Sequence, residues 1–378
     1  MKRTFSLFFI LLFFTIFILN ACKKQPIVPN AIPVSDTSSV PAPSPSPTPS
    51  PTDVLVDLTN VPYSKLSEYR FFKGALKDQI PNDNVIPYKP ASSLFTDYAL
   101  KHRFVWLPPR TKATYVADNK IIDLPVGAAL IKTFYYNNVE PTGSTQILET
   151  RIMIRKSGGW IFAEYVWNEE QTEATLQMNG SYVPIAWSQN GTPKSTNYRI
   201  PSEMECLTCH KSNNAAIPIG IKPQNLNTNY QYTTGNINQL QYWISKGILQ
   251  NNLPVSIQST IDYHDISQPL KTRLRSYLDI NCSHCHQENS HCDYRPLRLA
   301  FSETIQSINM GVCVTPQENI DPVLQKIIVP GNFTKSVMHF RLNSTDESTR
   351  MPLLGRTLVD DEGVQLLKDF ILSIDNCD

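Results

Sequence analysis

Three consecutive stretches of the sequence decide the fold: Gln146-Ile-Leu-Glu-Thr-Arg-Ile-Met-Ile-Arg155, Ser157-Gly-Gly159 and Trp160-Ile-Phe-Ala-Glu-Tyr-Val-Trp167. In the first stretch, isoleucines mix with charged Glu149 and Arg151, which is typical of a strand in a sheet with one solvated face. The third stretch is rich in aromatic and β-branched residues, and the glycine pair before it predicts a hairpin turn. We therefore expect an antiparallel hairpin at the centre of a β-rich region.

Runs of the same character surround this hairpin, separated by Gly, Pro and Asn. They are His102–Leu107, Lys120–Leu124, Ala128–Tyr136 and Ala174–Met178. Together with the hairpin, these runs predict a β-rich domain over residues 54–200, folded as a small antiparallel sandwich or barrel.

Beyond residue 200, apolar residues recur every three or four positions, which indicates helices. The expected helices are Asn236–Ile248, one that begins at Pro269, and Asp361–Ser373. The predicted fold class is therefore α+β multidomain, with an N-terminal antiparallel β-sandwich-like domain followed by an all-α domain. Residues 201–266 form a separate segment in this division, which contains Cys206-Leu-Thr-Cys-His210. Residues 267–378 form the all-α domain, which contains Cys282-Ser-His-Cys-His286.

The first residues predict export. Lys2 and Arg3 precede the apolar run Phe5–Leu19, which ends in Leu19-Asn-Ala-Cys22, so we interpret residues 1–21 as a signal peptide. A transmembrane anchor is the alternative, but about 15 apolar residues fall short of the ~20 that cross a bilayer. The ending resembles a bacterial lipobox, which implies cleavage before Cys22 and lipidation of its sulfur. The two lysines that follow, with no acidic residue, favour the periplasmic face of the outer membrane.

Residues 22–53 are predicted to be a tether. Their proline-rich stretch, Pro41-Ala-Pro-Ser-Pro-Ser-Pro-Thr-Pro-Ser-Pro51, cannot bury a core. As polyproline II, at ~3.1 Å per residue, Pro26–Thr52 could hold a domain roughly 80 Å from its lipid. The whole chain has 34 basic and 33 acidic side chains, a formal net charge of +1. This balance provides no electrostatic footprint for nucleic acid, which we do not expect as a partner.

Two pentapeptides share the pattern Cys-x-x-Cys-His: Cys206-Leu-Thr-Cys-His210 and Cys282-Ser-His-Cys-His286. This pattern is the attachment signal of c-type haem. On a helix, residues three apart share one face, so both thiols can reach the vinyl edge of one porphyrin, and the histidine then lies beneath the iron. We therefore predict two covalently bound haem c groups. The expected attachment residues are Cys206, Cys209, Cys282 and Cys285, and the expected proximal iron ligands are His210 and His286.

A zinc ribbon, a redox-active cysteine pair and structural disulfides are the alternatives. A zinc ribbon places its two cysteine pairs ~15–20 residues apart, whereas Cys209 and Cys282 lie much further apart along the chain. A thioredoxin-like pair requires a βαβ setting, which the sequence does not indicate. Since only 7 of the 378 residues are histidines, a histidine directly after both pairs favours haem.

The chain also resembles a functionally uncharacterised family of predicted diheme c-type cytochrome lipoproteins. The resemblance rests on both pentapeptides and on Leu66-Ser-Glu-Tyr69, Leu94–Leu107, Tyr165-Val-Trp-Asn-Glu-Glu-Gln171, Pro218-Ile-Gly220 and Met351-Pro352. It covers nearly all of the folded part and implies the haem number and the domain order. The stretch from Pro269 onward further resembles a class I cytochrome c domain, so the all-α part is expected to be cytochrome c-like.

This second resemblance implies that Met351 is the distal iron ligand of the second haem, with Met338 and His339 as competitors. No methionine occurs between the first motif and Met310, so the first haem has no comparable methionine ligand. His264 is a candidate ligand for this haem, whereas Met204 lies too close before the motif to reach the other side of the iron. We interpret the remaining histidines as structural or exposed: His102, His284 and His291.

Three cysteines remain, and we expect one disulfide between them in an oxidising compartment. Pairing Cys292 with Cys313 would close a loop of about 20 residues, worth ~3 kcal/mol, and would leave Cys377 free. Pairing Cys313 with Cys377 is the alternative.

Three functions from different classes remain open. The favoured one is a membrane-anchored periplasmic electron carrier that serves redox partner proteins. The second is a diheme oxidoreductase or a peroxidase-like enzyme that uses an open haem position. The third is a non-redox binding module, in which the β-rich part holds a partner. Residues 54–200 contain no recognisable nucleophile–base pair or phosphate loop, so a separate hydrolase is not expected there.

Overall fold

The hairpin around Ser157-Gly-Gly159 lies in an eight-stranded antiparallel sheet, in a computed structural model that describes residues 53–377. In chain order the strands of this part of the protein are β1 (Phe72–Lys73), β2 (Ile80–Pro81), β3 (Ile86–Pro87), β4 (Leu100–Trp106), β5 (Ala129–Val139), β6 (Ser144–Lys156), β7 (Gly159–Trp167), β8 (Ala174–Leu176), β9 (Asn179–Gln189), β10 (Thr192–Ser202), β11 (Lys211–Ser212), β12 (Ala215–Ala216), β13 (Asn229–Tyr232) and β14 (Gly235–Asn238). The large sheet has the order β10-β9-β5-β6-β7-β8, with β4 also paired to β5 and β3 paired to β4.

The predicted hairpin is confirmed, since β6 and β7 pair antiparallel with Lys156 opposite Gly159. The predicted runs around it become β4, β5 and β8. The run Lys120–Leu124 does not form a strand. Only Asp123 makes a ladder contact there, an isolated bridge to Thr114.

The six α-helices of the described residues are α1 (Glu203–Cys209), α2 (Pro223–Leu226), α3 (Gln239–Ser245), α4 (Leu270–Asn281), α5 (Val337–Asn343) and α6 (Asp361–Leu372). The predicted helices correspond to α3, α4 and α6. At the start of α6, the Asp360 carboxylate accepts a hydrogen bond from the Gly363 N–H at 3.1 Å, which satisfies one of the free helix donors. None of these helices is both long enough and apolar enough to cross a membrane.

The expected division into a β-sandwich-like domain and an all-α cytochrome c-like domain is wrong. All described residues belong to one compact, mostly β unit, because the loop between β3 and β4 binds the C-terminal part. The buried Asp97 carboxylate accepts hydrogen bonds from the backbone N–H groups of Thr357 (2.7 Å) and Leu358 (2.8 Å). The Phe95 N–H donates to Asn281 Oδ1 at 2.8 Å. A buried carboxylate needs such donors, so the helices are held to the sheet.

The apolar residues form separate clusters on the two sides of this arrangement. On one face of the sheet, Phe104, Ile131 and Ile152 pack against an N-terminal segment that includes Tyr69 and Phe71. A second cluster joins α4, α5 and α6 around Leu274, Leu342 and Leu367. The other face of the sheet carries charged side chains, described below.

The structure joins Cys313 to Cys377, with a Cα–Cα distance of 5.6 Å. The favoured pairing of Cys292 with Cys313 is therefore wrong. Cys292 is buried with a free thiol, and its N–H donates to the Cys285 carbonyl at 3.0 Å, which holds it beside the second motif instead. The signal peptide (1–21), Cys22 and the tether (22–53, except Asp53) lie outside the described residues.

Candidate functional site

The first Cys-x-x-Cys-His motif lies on α1, which begins where β10 ends. Ser202 caps this helix in a reciprocal capping box with Glu205, and Arg199 holds the same carboxylate at 2.7 Å. Cys206 and Cys209 are three residues apart on this helix, as the spacing predicts. The His210 N–H donates to the Cys206 carbonyl at 2.9 Å and ends the helix.

A hydrogen bond to the backbone fixes the tautomer of the His210 imidazole. Its Nδ1 lies 2.9 Å from the Ile217 carbonyl oxygen. Since a carbonyl only accepts, Nδ1 carries the proton and Nε2 keeps its lone pair, the arrangement found in most metal-binding histidines. Burial lowers the pKa of His210 to about 4, so the ring is neutral at physiological pH.

The second motif follows the end of α4 and forms a hydrogen-bonded turn rather than the predicted helix. Cys282 caps α4, and the His286 N–H donates to the Cys282 carbonyl at 3.0 Å, as the His210 N–H does to Cys206 in the first motif. Burial lowers the pKa of His286 to about 4 and raises that of Cys282 to about 12. Unlike His210, the buried Nδ1 of His286 has no hydrogen-bond partner among the described residues.

The two motifs touch each other. The side-chain ligand atoms of Cys209, His284 and Cys285 all lie within 4.8 Å of one another, and Cys285 Sγ lies 3.7 Å from the Thr208 carbonyl oxygen. Hydrogen bonding from Cys285, followed by that from His284, lowers the pKa of Cys209 well below its ordinary value. His284, expected to be structural or exposed, is buried at this junction.

A cavity of about 760 Å³, partly open to solvent, adjoins the second motif. Cys282 and His286 line it together with two methionines, Met338 on α5 and Met351 in the loop before α6. The Met351 backbone is held in place, because the Arg356 guanidinium donates to its carbonyl at 2.8 Å. The rest of the wall is mainly aliphatic.

A second cavity, of about 850 Å³, adjoins the first motif and reaches the sheet. Cys206 and His210 line it, and again two methionines do so, Met153 on β6 and Met178 between β8 and β9. The Glu164 N–H donates to Met178 Sδ at 3.4 Å, which helps to fix this side chain. Sequence reasoning missed both methionines, because they precede the motif and belong to the β-rich part.

Four charged side chains form a row across the sheet at this cavity. Arg103 on β4 is opposite Lys132 on β5, Lys132 is opposite Arg151 on β6, and Arg151 is opposite Glu164 on β7. All four line the cavity. Arg151 binds the buried Glu149 carboxylate through Nε at 2.9 Å and lies 3.2 Å from Glu164. Burial and the neighbouring guanidinium groups hold the pKa of Lys132 well below its ordinary value.

Comparisons with known proteins assign no family. No protein-family model matches the chain, and no curated protein or solved structure matches it either. The resemblance to diheme lipoproteins therefore stays a prediction.

The remaining candidates lie elsewhere. His264 is exposed and bridges Asp262 and Glu362 at 2.9 and 2.8 Å, away from both cavities. Among the competitors of Met351, the His339 ring packs on Phe333, 4.9 Å between centroids, whereas Met338 does line the cavity. Met204 is 81% exposed. His102 Nδ1 donates a hydrogen bond to Gln79 Oε1 at 3.1 Å. His291 is exposed at the rim of a small pocket beside Cys285.

Proposed function

We propose that the protein is a diheme c-type cytochrome that transfers electrons while anchored to a bacterial membrane on its periplasmic side. The observation that carries this proposal is the repeated donor set. Each motif contributes its first cysteine and its histidine to a separate cavity, and each cavity also presents two methionines. The chain has seven methionines, of which six are described, and four of these six line the two cavities.

The donor set fits a haem well. Thiols at the spacing of each motif can each add across a vinyl group, with the sulfur and the hydrogen going to its two carbons, so that nothing leaves. The neutral imidazoles of His210 and His286 are available to iron, and methionine sulfur is a common second axial ligand in electron carriers. When bound, each haem would supply a one-electron iron couple. The chain's contribution is to hold the two groups against one another, because Cys209 and Cys285 meet at the junction.

A bound zinc ion is the second candidate, and the junction of Cys209, His284 and Cys285 is the observation in its favour. A structural zinc site is almost always four-coordinate, and this junction assembles three donors. Zinc there would also leave Cys206, Cys282, His210 and His286 in their cavities without a role. The haem assignment uses all of them, so we favour it.

Closed coordination favours electron transfer over catalysis. With methionines in both cavities, each iron can take a protein ligand on both sides. We therefore expect two low-spin, six-coordinate haems and no turnover of peroxide. A high-spin haem that binds cyanide quickly, together with peroxide turnover, would instead support the diheme enzyme.

Mass spectrometry and optical and EPR spectroscopy of protein matured with cytochrome c assembly factors test the proposal. We expect a mass increase of two haems, four thiols unavailable to alkylating reagents at the two motifs, and low-spin spectra. Free thiols at both motifs with one bound zinc per chain would contradict it.

The membrane anchor is tested separately through Cys22. Replacing Cys22→Ser should prevent lipidation and release the folded part from membranes once the signal is removed. Membrane retention of the fully processed variant would contradict the lipid anchor and leave the haem assignment unaffected.

A further inference from the structure

The charged row on the sheet contains two basic side chains, Arg103 and Lys132, without anionic partners among the described residues. Both carboxylates near the row, Glu149 and Glu164, lie against Arg151. Among the described residues, no carboxylate lies within ion-pair distance, 4.0 Å, of Arg103 or Lys132. Arg103 is only 8% exposed. Since an unpaired buried charge is costly, these two side chains form a site that favours an anion.

The position of this site relative to the first motif suggests its occupant. Cys206 lies at the other end of the row, because α1 packs on β7 and Cys206 lines the cavity together with Glu164 of that strand. From β6 to β4 is two strand spacings, ~10 Å, which is comparable to the width of a porphyrin. In haem the vinyl and propionate groups lie at opposite edges of the ring. A ring joined to Cys206 and lying along the row would therefore direct its carboxylates toward Lys132 and Arg103.

We propose that Arg103 and Lys132 form a carboxylate-binding site on the β-sheet, occupied by the propionates of the haem attached to the first motif. The inference rests on the proposed function and deepens it, because it gives the β-rich part a role in orienting that haem. A guanidinium can bind a carboxylate through two parallel N–H groups, so Arg103 would orient a propionate as well as attract it.

The test uses full-length holoprotein with Arg103→Gln and Lys132→Met, and Lys101→Met as the matched control. Lys101 lies on the same face of β4, two residues from Arg103, but does not line the cavity. We measure the carboxylate bands in redox-difference infrared spectra, with the propionates identified by isotope-labelled haem, and the potential of each haem. Both cavity variants should shift the propionate bands and lower the potential of the first haem, since a cation that favours the reduced state is removed. Lys101→Met should leave the bands unchanged.

Arg103→Lys provides a variant that keeps the charge, and its bands should lie between those of wild type and Arg103→Gln. It also keeps the inference testable if Arg103→Gln does not accumulate. Unchanged bands in both cavity variants would overturn the inference. So would spectral changes on adding formate or nitrite that Arg103→Gln abolishes, because the site would then hold a free anion. If the inference fails but the mass is still raised by two haems, the proposed function stands. If the mass is not raised by two haems, the proposed function is itself contradicted.

Discussion

The two Cys-x-x-Cys-His motifs have the same spacing but lie in different surroundings. The first follows β10, adjoins a charged row, and has His210 hydrogen-bonded to the Ile217 carbonyl. The second ends α4 in a mainly aliphatic cavity, whose arginines, Arg295 and Arg341, are paired with Glu318, and the buried Nδ1 of His286 has no partner among the described residues. A partner on Nδ1 raises the basicity of the metal-binding nitrogen, and nearby charges shift a metal's potential. We therefore expect two unequal redox centres.

Replacing the two cysteines of either motif should have the largest effect of all, the loss of one haem, and shows whether the two sites acquire haem independently. Cys206→Ala with Cys209→Ala should lower the mature mass by one haem, and Cys282→Ala with Cys285→Ala should lower it by the other. Intact mass and the pyridine haemochrome spectrum measure this. The potential of the remaining haem should change by less than the difference between the two haem potentials in the wild type. Loss of both haems from either variant would show that the sites mature as one unit.

The disulfide distinguishes the second region further, because Cys313 and Cys377 cross-link only the part that contains α5 and α6. The two cysteines are 64 residues apart, so replacing both with alanine should lower the free energy of unfolding by about 4 kcal/mol on the chain-entropy estimate. Urea denaturation measures the change. A reductant should destabilise the wild type by a similar amount and leave the double variant unaffected. A difference below about 1 kcal/mol would contradict the assigned pairing.

Sequence predicted some of these elements and missed others for physical reasons. The motif spacing singled out His210 and His286, whose role as iron ligands stays a prediction. Runs of β-branched and aromatic residues predicted β5, β6 and β7, since this signal is local. Strands β9 and β10 were missed because they contain Pro184 and Pro193, which are unusual inside strands, and because β10 is also mainly polar.

The single compact unit was missed because it depends on long-range contacts. Asp97 reaches the backbone of Thr357 and Leu358 across most of the chain, and no local pattern signals this. Met178 was overlooked for the same reason, since only the folded sheet brings it to the cavity of His210.

Replacement of the methionines one at a time should sharpen the comparison. Met351→Ala should leave both haems attached and lower the potential of the second haem alone, on the order of 100 mV, because methionine ligation raises potential. Met178→Ala should do the same for the first. Met338→Ala and Met153→Ala are the matched controls in each cavity. Potentiometric titration measures the potential of each haem separately. If replacing Met338 or Met153 lowers a potential more than replacing the other methionine of the same cavity, the control residue is the ligand.

The smallest expected effect concerns His264, which links the loop before α4 to α6. The hydrogen bond to Asp262, together with Glu362, raises the pKa of His264. A raised pKa in the folded state stabilises the protein below pH ~6.5, and this stabilisation is lost as the pH rises through the folded-state value. Because the side chain is 42% exposed, we expect less than ~1 kcal/mol after solvent screening. The difference in unfolding free energy between pH 5.5 and 8.5 should shrink in His264→Gln. An identical difference in the two proteins would contradict the assignment.

The contact between Cys209 and Cys285 also constrains how the protein can be assembled in the cell. Two thiols this close are easily joined in an oxidising compartment, and that bond would consume one attachment residue of each motif at once. A chain that folded first would thus compete with its own maturation. If haem attaches at both motifs as proposed, we expect attachment to precede the docking of α1 beside the turn after α4.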